Sequence, residues 1–465
     1  MQEWAWALAE ALALAERELL LFAGIFFLFG ALDELAMDIT WAWLRLTGRA
    51  RTPEIERASA AGAELSGPPA VFIAAWSEAE VIGHTLRHMR QAWPQPGLRI
   101  FVGCYRNDDA TLDAAMQGAG NDPRVRLVVH DAQGPTSKAD CLNRLYEALQ
   151  AEEARSNVRF RQVVLHDAED MVDEAALPVM DRAMGEADFV QLPVQPVPQV
   201  HSRWIGSHYC EEFAEAHAKA MVVRSAIGAA LPAAGVGCAF SRDMLARIAA
   251  QQDGGPFDPG TLTEDYELGL RVLESGGRGQ FLRLRGDDGR LVATRAYFPS
   301  DLKSAVRQKA RWVHGIALQG WDRVGWGGAL SEYWMRLRDR RGPLVALVLL
   351  MAYLLVALAG VSALLRQIGI GPAWEVSTGL WFLLAANSAM FAWRALMRFA
   401  FTAREYGVIE GLRAVLRLPM ANVIAIMAGR RAVVAYVRTL GGSMPRWEKT
   451  RHLHHPAAPK KAATR

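Results

Sequence analysis

Three carboxylates, Asp167, Glu169 and Asp170, follow directly on an apolar run in the stretch VVLHDAEDMV at residues 163–172. An apolar run that ends in clustered acids reads as a buried strand delivering carboxylates to the open edge of a sheet, where α/β proteins bind ligands. Hard oxygen ligands in that position suit Mg²⁺ or Mn²⁺ holding a diphosphate, with Asp167 and Glu169, at alternate positions, reaching one ion and Asp170 as a further ligand. The bland alternative is a strand followed by an acidic helix start. A second acidic pair, Glu264 and Asp265, follows Thr263, which reads as an N-cap, and again the alternative is an ordinary acidic first turn. Further on, Gln308, Arg311 and Trp312 fall on one helical face. There a guanidinium can pair with diphosphate oxygens and an indole can stack on a sugar. An interfacial helix whose basic and Trp side chains meet lipid headgroups explains the same composition, and both readings hold together.

Elements of alternating type must place these groups. Residues 71–75, 98–103, 125–130 and 162–165 read as strands, and 78–91, 138–150 and 179–185 as helices, with a loop at 107–111. This succession predicts an α/β domain with a mostly parallel sheet, whose carboxyl edge would carry Trp76, Ser77 and Glu78 after the first strand and Asp108 and Asp109 after the second. Asp108 and Asp109 also read as plain turn residues, and Lys138 as either a phosphate contact or a solvated helix-start lysine.

Hydrophobic residues at 51% and 15 Trp in 465 residues point to lipid. The net charge of +3 argues against a nucleic-acid binder driven by bulk charge. Residues 19–32 form an uncharged apolar run that spans a membrane if it borrows flanking turns; an amphipathic or re-entrant anchor is the alternative. The runs 344–365 and 376–393 read as two further spans. Arginines 45, 49 and 51, 336 to 341, and 394 to 404 flank the same ends of these segments, which places the block between them in the cytoplasm. Residues 418–429 are too short to span, and with Arg430 and Arg431 behind them predict a helix in the interface plane, a further span being the alternative. The expected organisation is a membrane anchor over 1–51, a catalytic domain over 52–340 with an interfacial helix near 301–326, membrane and interfacial helices over 341–440, and a tail over 441–465 disordered at its end.

The order of these motifs carries a resemblance. Ala75-Trp76-Ser77-Glu78, Tyr105-Arg106-Asn107-Asp108-Asp109, Ser137-Lys138-Ala139-Asp140, His166-Asp167-Ala168-Glu169-Asp170, Thr263-Glu264-Asp265 and Gln308-Lys309-Ala310-Arg311-Trp312, bracketed by membrane segments, resemble family 2 membrane glycosyltransferases. These are inverting enzymes of GT-A fold such as cellulose, chitin and hyaluronan synthases. The resemblance implies Asp265 as the catalytic base beside Glu264. It implies Trp76, Glu78, Asp108, Asp109, Lys138, Asp167, Gln308, Arg311 and Trp312 around the nucleotide and donor sugar, and Gly237, Cys238 and Trp312 toward the acceptor. Glu169 departs from the family's usual Asp. The expected activity is sugar transfer from a UDP-sugar to a growing polysaccharide in the bacterial inner membrane. The expected partners are Mg²⁺ or Mn²⁺, a polysaccharide or lipid-linked acceptor, membrane lipids and an envelope export partner. Single-sugar transfer to a lipid carrier and a non-catalytic envelope scaffold are the alternatives, and no appended regulatory domain is expected.

Cys104, Cys141, Cys210 and Cys238 lie far apart and indicate neither a zinc site nor a disulfide framework. No Gly-x-Ser-x-Gly elbow is present. His166 is expected to pack beside the acidic strand, and His452, His454 and His455 read as a solvated terminus.

Overall fold

The computed structural model describes residues 2–373, 376–442 and 452–458. Strands β1 (Pro69–Ala74), β2 (Arg99–Tyr105), β3 (Val125–His130), β4 (Gln162–Asp167), β5 (Phe189–Gln191), β6 (Cys238–Ser241) and β7 (Gly279–Phe281) form one seven-stranded sheet in the order 3-2-1-4-6-5-7. The pairs β1–β2, β2–β3, β1–β4 and β5–β7 are parallel, and β6 runs antiparallel between β4 and β5. The sheet is mostly parallel, as the alternation of elements predicts. β1 is buried along nearly its whole length because both faces are covered, which is why it reads as a continuous apolar run. Successive residues serve opposite cores: Val71, Ile73, Ile100, Val102 and Val164 pack on one face, and Ala70, Phe72, Phe101, Val163 and Leu165 on the other. The parallel register sets Ala74 opposite Asp167, so β1 and β4 end at one level and deliver their last residues to one edge.

The helices around and beyond the sheet include α1 (Gln2–Leu46), α2 (Ile82–Ala92), α3 (Asp109–Ala119), α4 (Lys138–Ser156), α5 (Glu264–Glu274), α6 (Leu302–Trp312), α7 (Gly342–Gln367), α8 (Thr378–Tyr406) and α9 (Leu418–Leu440). The expected loop at 107–111 is in part the start of α3, whose N-cap Asp108 accepts the Thr111 N–H at 3.4 Å. α4 begins with a reciprocal cap: Ser137 Oγ accepts the Asp140 N–H at 3.1 Å, and Asp140 Oδ2 accepts the Ser137 N–H at 2.9 Å. Lys138 is thereby fixed at the first helical position, facing the sheet edge.

α1, α7, α8 and α9 are long and apolar enough to cross a membrane. α1 is a single helix of 45 residues, so the run at 19–32 takes turns from both flanks. Its far end meets the domain side of α7 and α8: Asp33 and Glu34 pair with Arg338 and Arg341, and Trp393 Nε1 donates to Asp38 Oδ2 at 2.8 Å. α9 is different. Before its first turn Arg417, fully buried, pairs with Glu211 at 2.9 Å and Glu410 at 2.6 Å. At the other end Tyr436 Oη donates to Asp322 at 2.5 Å. Between them Ile424 packs on Ala305 and Val306 of α6. α9 is a helix of 23 residues, longer than the 418–429 run expected in the interface plane, and it also packs on α7, where a Cβ on Gly429 would stand 2.4 Å from Ala346 Cβ; its length and apolarity fit the alternative of a further span.

Candidate active site

One cleft at the carboxyl edge of β1 and β4 gathers Trp76, Glu78, Lys138, Asp167, Glu169, Gln308 and Arg311. Trp76 stands edge-on to Tyr105 at 5.3 Å between ring centres, so the end of β2 braces the first wall. Ser77 adopts a left-handed backbone (φ 53°) and its N–H donates to Asp108 Oδ2 at 2.5 Å. Asp108 therefore shapes the loop that presents Trp76 and Glu78, while Asp109 lies exposed on the first turn of α3; neither lines the cleft.

The turn after β4 is built by Asp170. Its Oδ2 lies 2.8 Å from His166 Nδ1 and accepts the Asp167 N–H at 3.0 Å, and the residue is only 1% exposed. The expected metal role for Asp170 is thus corrected: both bonds close the turn, and the oxygen is turned inward. Asp167 and Glu169 face the cleft instead. His166 packs against Trp93 beside the strand, as predicted.

Lys138 Nζ bridges the two acidic motifs, 2.6 Å from Asp167 Oδ1 and 3.7 Å from Glu264 Oε1. Burial alone would discharge the ammonium, but Asp167, Glu264 and Asp265 hold its pKa above the ordinary lysine value. Burial likewise works against ionised Asp167, and Lys138 overcomes it, leaving that carboxyl below its usual range. For Glu169 the balance runs the other way: burial, then the charges of Asp167, Glu78 and Asp170, push it well above the carboxylate range. Burial raises Asp265 too, and raises Glu264 to about 7 against the pull of Lys138.

Asp265 is the more accessible of that pair, half-buried where Glu264 is buried. Two glycines let the backbone come close to this turn. Gly235 (φ +74°) passes so near that a Cβ would stand 2.4 Å from Asp265 Oδ2, and one on Gly315 would stand 2.5 Å from Thr263 Oγ1. Gly315 belongs to a π-helical continuation of α6, Val313–Gln319, which carries the Gln308 to Trp312 face against the acidic turn. Thr263 precedes α5 without capping it: its hydroxyl makes no bond to the helix and is buried without a partner among the described residues. Gln308 Oε1 and Arg311 Nε are also buried at the cleft without hydrogen-bond partners among the described residues, which leaves polar capacity for a ligand.

Three expected contacts lie elsewhere. Trp312 is off the donor cleft, half-buried among Tyr209, Phe213 and Phe298 because α6 turns this side chain toward the helix His208–Glu215. Cys238 is fully buried, paired between Leu165 of β4 and Gln191 of β5, and burial pushes its thiol far up. The Gly237 carbonyl accepts the Leu192 N–H at 2.9 Å inside the same sheet. Gly237 and Cys238 form the floor beneath the acids rather than an acceptor surface, because β6 is an interior strand.

The largest departure concerns the histidines at 452–455. His452 lines the cleft with Nδ1 3.3 Å from Glu169 Oε1. His455, only 3% exposed, has Nε2 3.1 Å from the Asp170 carbonyl, while Nδ1 accepts the Ala457 N–H at 3.0 Å. The expectation of a solvated terminus fails for these two, since both lie against the turn after β4; His454 is exposed. The disorder expected from Pro456 to Arg465 is not found over 456–458, which are half-buried beside His455, and 459–465 lie outside the described residues. Histidine-rich composition was the available signal, but nothing local pairs it with an acidic turn about 280 residues upstream.

The sheet edge carries acids, a half-buried lysine and polar groups without partners among the described residues, an arrangement suited to a phosphorylated ligand. Residues 68–315 match the family described as "Glycosyltransferase like family 2", and the chain belongs to that family. It is 32% identical over 457 residues to bacteriophage adsorption protein B of Escherichia coli K12, covering 92% of this chain and 61% of the relative. The same values relate it to bacteriophage N4 adsorption protein B of E. coli O157:H7, so the chain spans about three fifths of the length of these curated relatives. Among solved structures, a mannosyltransferase from Pyrobaculum calidifontis in complex with GDP-Man and Mn²⁺ matches with a TM-score of 0.51 at 17% identity. That match covers 85% of this chain and 99% of the other. It establishes the GT-A-like fold.

Proposed function

We propose that the protein is an inverting glycosyltransferase that moves a sugar from a UDP-sugar to a growing polysaccharide at the bacterial inner membrane, with its catalytic domain in the cytoplasm. The observation that carries this reading is the convergence of Lys138, Asp167, Glu169, Gln308 and Arg311 on one cleft beside Asp265. Arg311 and Lys138 meet the diphosphate, and Trp76 meets the nucleoside. Asp265, accessible and with its pKa raised, accepts the proton of the attacking acceptor hydroxyl. Trp312 and its aromatic neighbours form the acceptor side.

The residues fit a divalent cation. Glu169 is crowded by carboxylates, and its raised pKa marks negative charge that a dication relieves. Asp167 and Glu169 would hold it, and its chemistry there is to neutralise the leaving diphosphate. Mn²⁺ in the mannosyltransferase complex supports the same reading. The arginines at the domain ends of α1, α7 and α8 support the orientation.

A lipid-linked acceptor is the second reading, favoured by one observation. Between α1, α7 and α8 lies a cavity of about 700 Å³ whose walls are mostly apolar, with Asp33, Arg338 and Arg394 at one end. Such walls suit an acyl or prenyl chain better than a glycan.

The test is UDP release by the purified chain in lipid, with a panel of UDP-sugars, with and without Mn²⁺ or Mg²⁺, alongside Asp265→Asn. Metal-dependent release from one donor, lost in the variant, is the expected result, and product length then separates polymer from single transfer. Folded protein that releases nothing from any donor, given membrane extract as acceptor, refutes the enzymatic reading in favour of a scaffold.

A further inference from the structure

The segment 452–458 follows α9, yet it lies on the acidic turn of the catalytic domain. His455 is its anchor. Its ring stacks on His84 of α2 at 6.1 Å between centres, with 15° between the planes. The Ala457 N–H donates to Nδ1, so Nε2 carries the hydrogen that reaches the Asp170 carbonyl. One ring nitrogen thus docks the segment on the domain and the other closes the segment's own turn. Three residues earlier His452 enters the cleft, and one ligand atom each of Glu78, Glu169 and His452 lie within 4.8 Å of one another. Two carboxylates and an imidazole converging from three separate parts of the chain make a mixed oxygen and nitrogen set.

We infer that His452 is a ligand of the divalent cation, adding a nitrogen donor, with Glu78 beside it, to the site that Asp167 and Glu169 of the catalytic domain would provide. The inference rests on the metal-dependent glycosyltransferase reading and deepens it. Its first consequence is selectivity. Mg²⁺ prefers oxygen ligands in a near-ideal octahedron, whereas an imidazole favours a transition dication, so Mn²⁺ binds in preference to Mg²⁺. Its second is coupling: metal occupancy and docking of the segment stabilise each other, so the segment beyond α9 senses whether the cleft is loaded. Glu169 fits this role better than a shorter Asp would. The extra methylene carries its carboxylate away from the turn that Asp170 closes and toward His452.

The decisive measurement uses Mn²⁺ alone with the full 465-residue chain in lipid nanodiscs. Electron spin-echo modulation of the bound ion detects a directly coordinated imidazole nitrogen, and the free-ion signal during a titration gives the affinity. The wild type is expected to show nitrogen coupling. His452→Ala should lose it and bind Mn²⁺ about 10–100-fold more weakly. His455→Ala should weaken binding through undocking, and His454→Ala should change neither. Far-UV circular dichroism matching the wild type checks that these variants fold.

Mn²⁺ bound without nitrogen coupling, while UDP release stays metal-dependent, overturns His452 as a ligand and leaves the glycosyltransferase reading standing. Tighter Mn²⁺ or UDP binding in His452→Ala overturns it also, because the segment would then be a plug. If the wild type fails to bind Mn²⁺ saturably, and releases UDP equally without metal, the metal-dependent reading itself falls.

Discussion

Replacing Lys138 by Met removes the one ammonium that links Asp167 to Glu264, at 2.6 Å and 3.7 Å, while keeping the length of the side chain. Removing one partner of a buried ion pair costs about 3–5 kcal/mol, because the other is left uncompensated. Here Asp167 retains 35% of its side-chain exposure, so water screens part of the loss and about 3 kcal/mol is expected. For a domain of this size that is a fall of about 6 °C in Tm. The effect must depend on pH. In the wild type Asp167, held below its ordinary pKa chiefly by Lys138 against burial, stabilises the fold above about pH 4 and loses that contribution on acidification. Without Lys138 the carboxyls of Asp167, Glu264 and Asp265 all move upward. The unfolded chain then deprotonates first as pH rises, and stability falls between about pH 4 and 8. The Tm difference between variant and wild type, followed by tryptophan fluorescence in lipid nanodiscs, should therefore be large at pH 8 and small at pH 5. Asp167→Asn in the Lys138→Met background should recover part of it at pH 8. An equal loss at both pH values, or no recovery, would show that Lys138 packs rather than neutralises.

Three further outcomes are expected from the geometry. Gly235→Ala places a methyl 2.4 Å from Asp265 Oδ2 on a left-handed backbone, so turnover should fall by at least about 10-fold with little change in UDP affinity by calorimetry. Glu264, raised to about 7 by burial against Lys138, binds protons between about pH 4.5 and 7 that the unfolded chain has lost, so its ionisation costs stability as pH rises. Glu264→Gln should then raise Tm at pH 8 and leave it nearly unchanged at pH 5; the opposite order would contradict the burial argument. Arg417→Met leaves Glu211 with Arg398 alone among the described residues, at 3.3 Å, and should cost about 1–3 kcal/mol, read as a matching loss of Tm and increased proteolysis after Leu440.

Much of the molecule is local and was therefore legible in the sequence. The strands at 69–74, 99–105, 125–130 and 162–167 are apolar runs bounded by turn residues, because a sheet covered on both faces needs apolar side chains in both directions. The helices long and apolar enough to cross a membrane follow from uncharged length, and the grouping of Trp76, Glu78, Lys138, Asp167, Glu169, Gln308 and Arg311 from motifs in order. What no window of sequence contains is which oxygen turns inward. Asp170 and Glu169 are adjacent acids, and only the register of β4 against β1 and the bond from His166 decide that the first closes a turn and the second faces the cleft. Cys238 looked like an acceptor contact until its strand was set between β4 and β5. His452 and His455 looked solvated because their partners lie about 280 residues away, and contacts at that separation exist only after the chain has closed. Side-chain type and period are properties of a few consecutive residues, so the sequence determined the elements and their chemistry. Burial and pairing are properties of the closed chain, so the tertiary structure decided which of those groups the site uses.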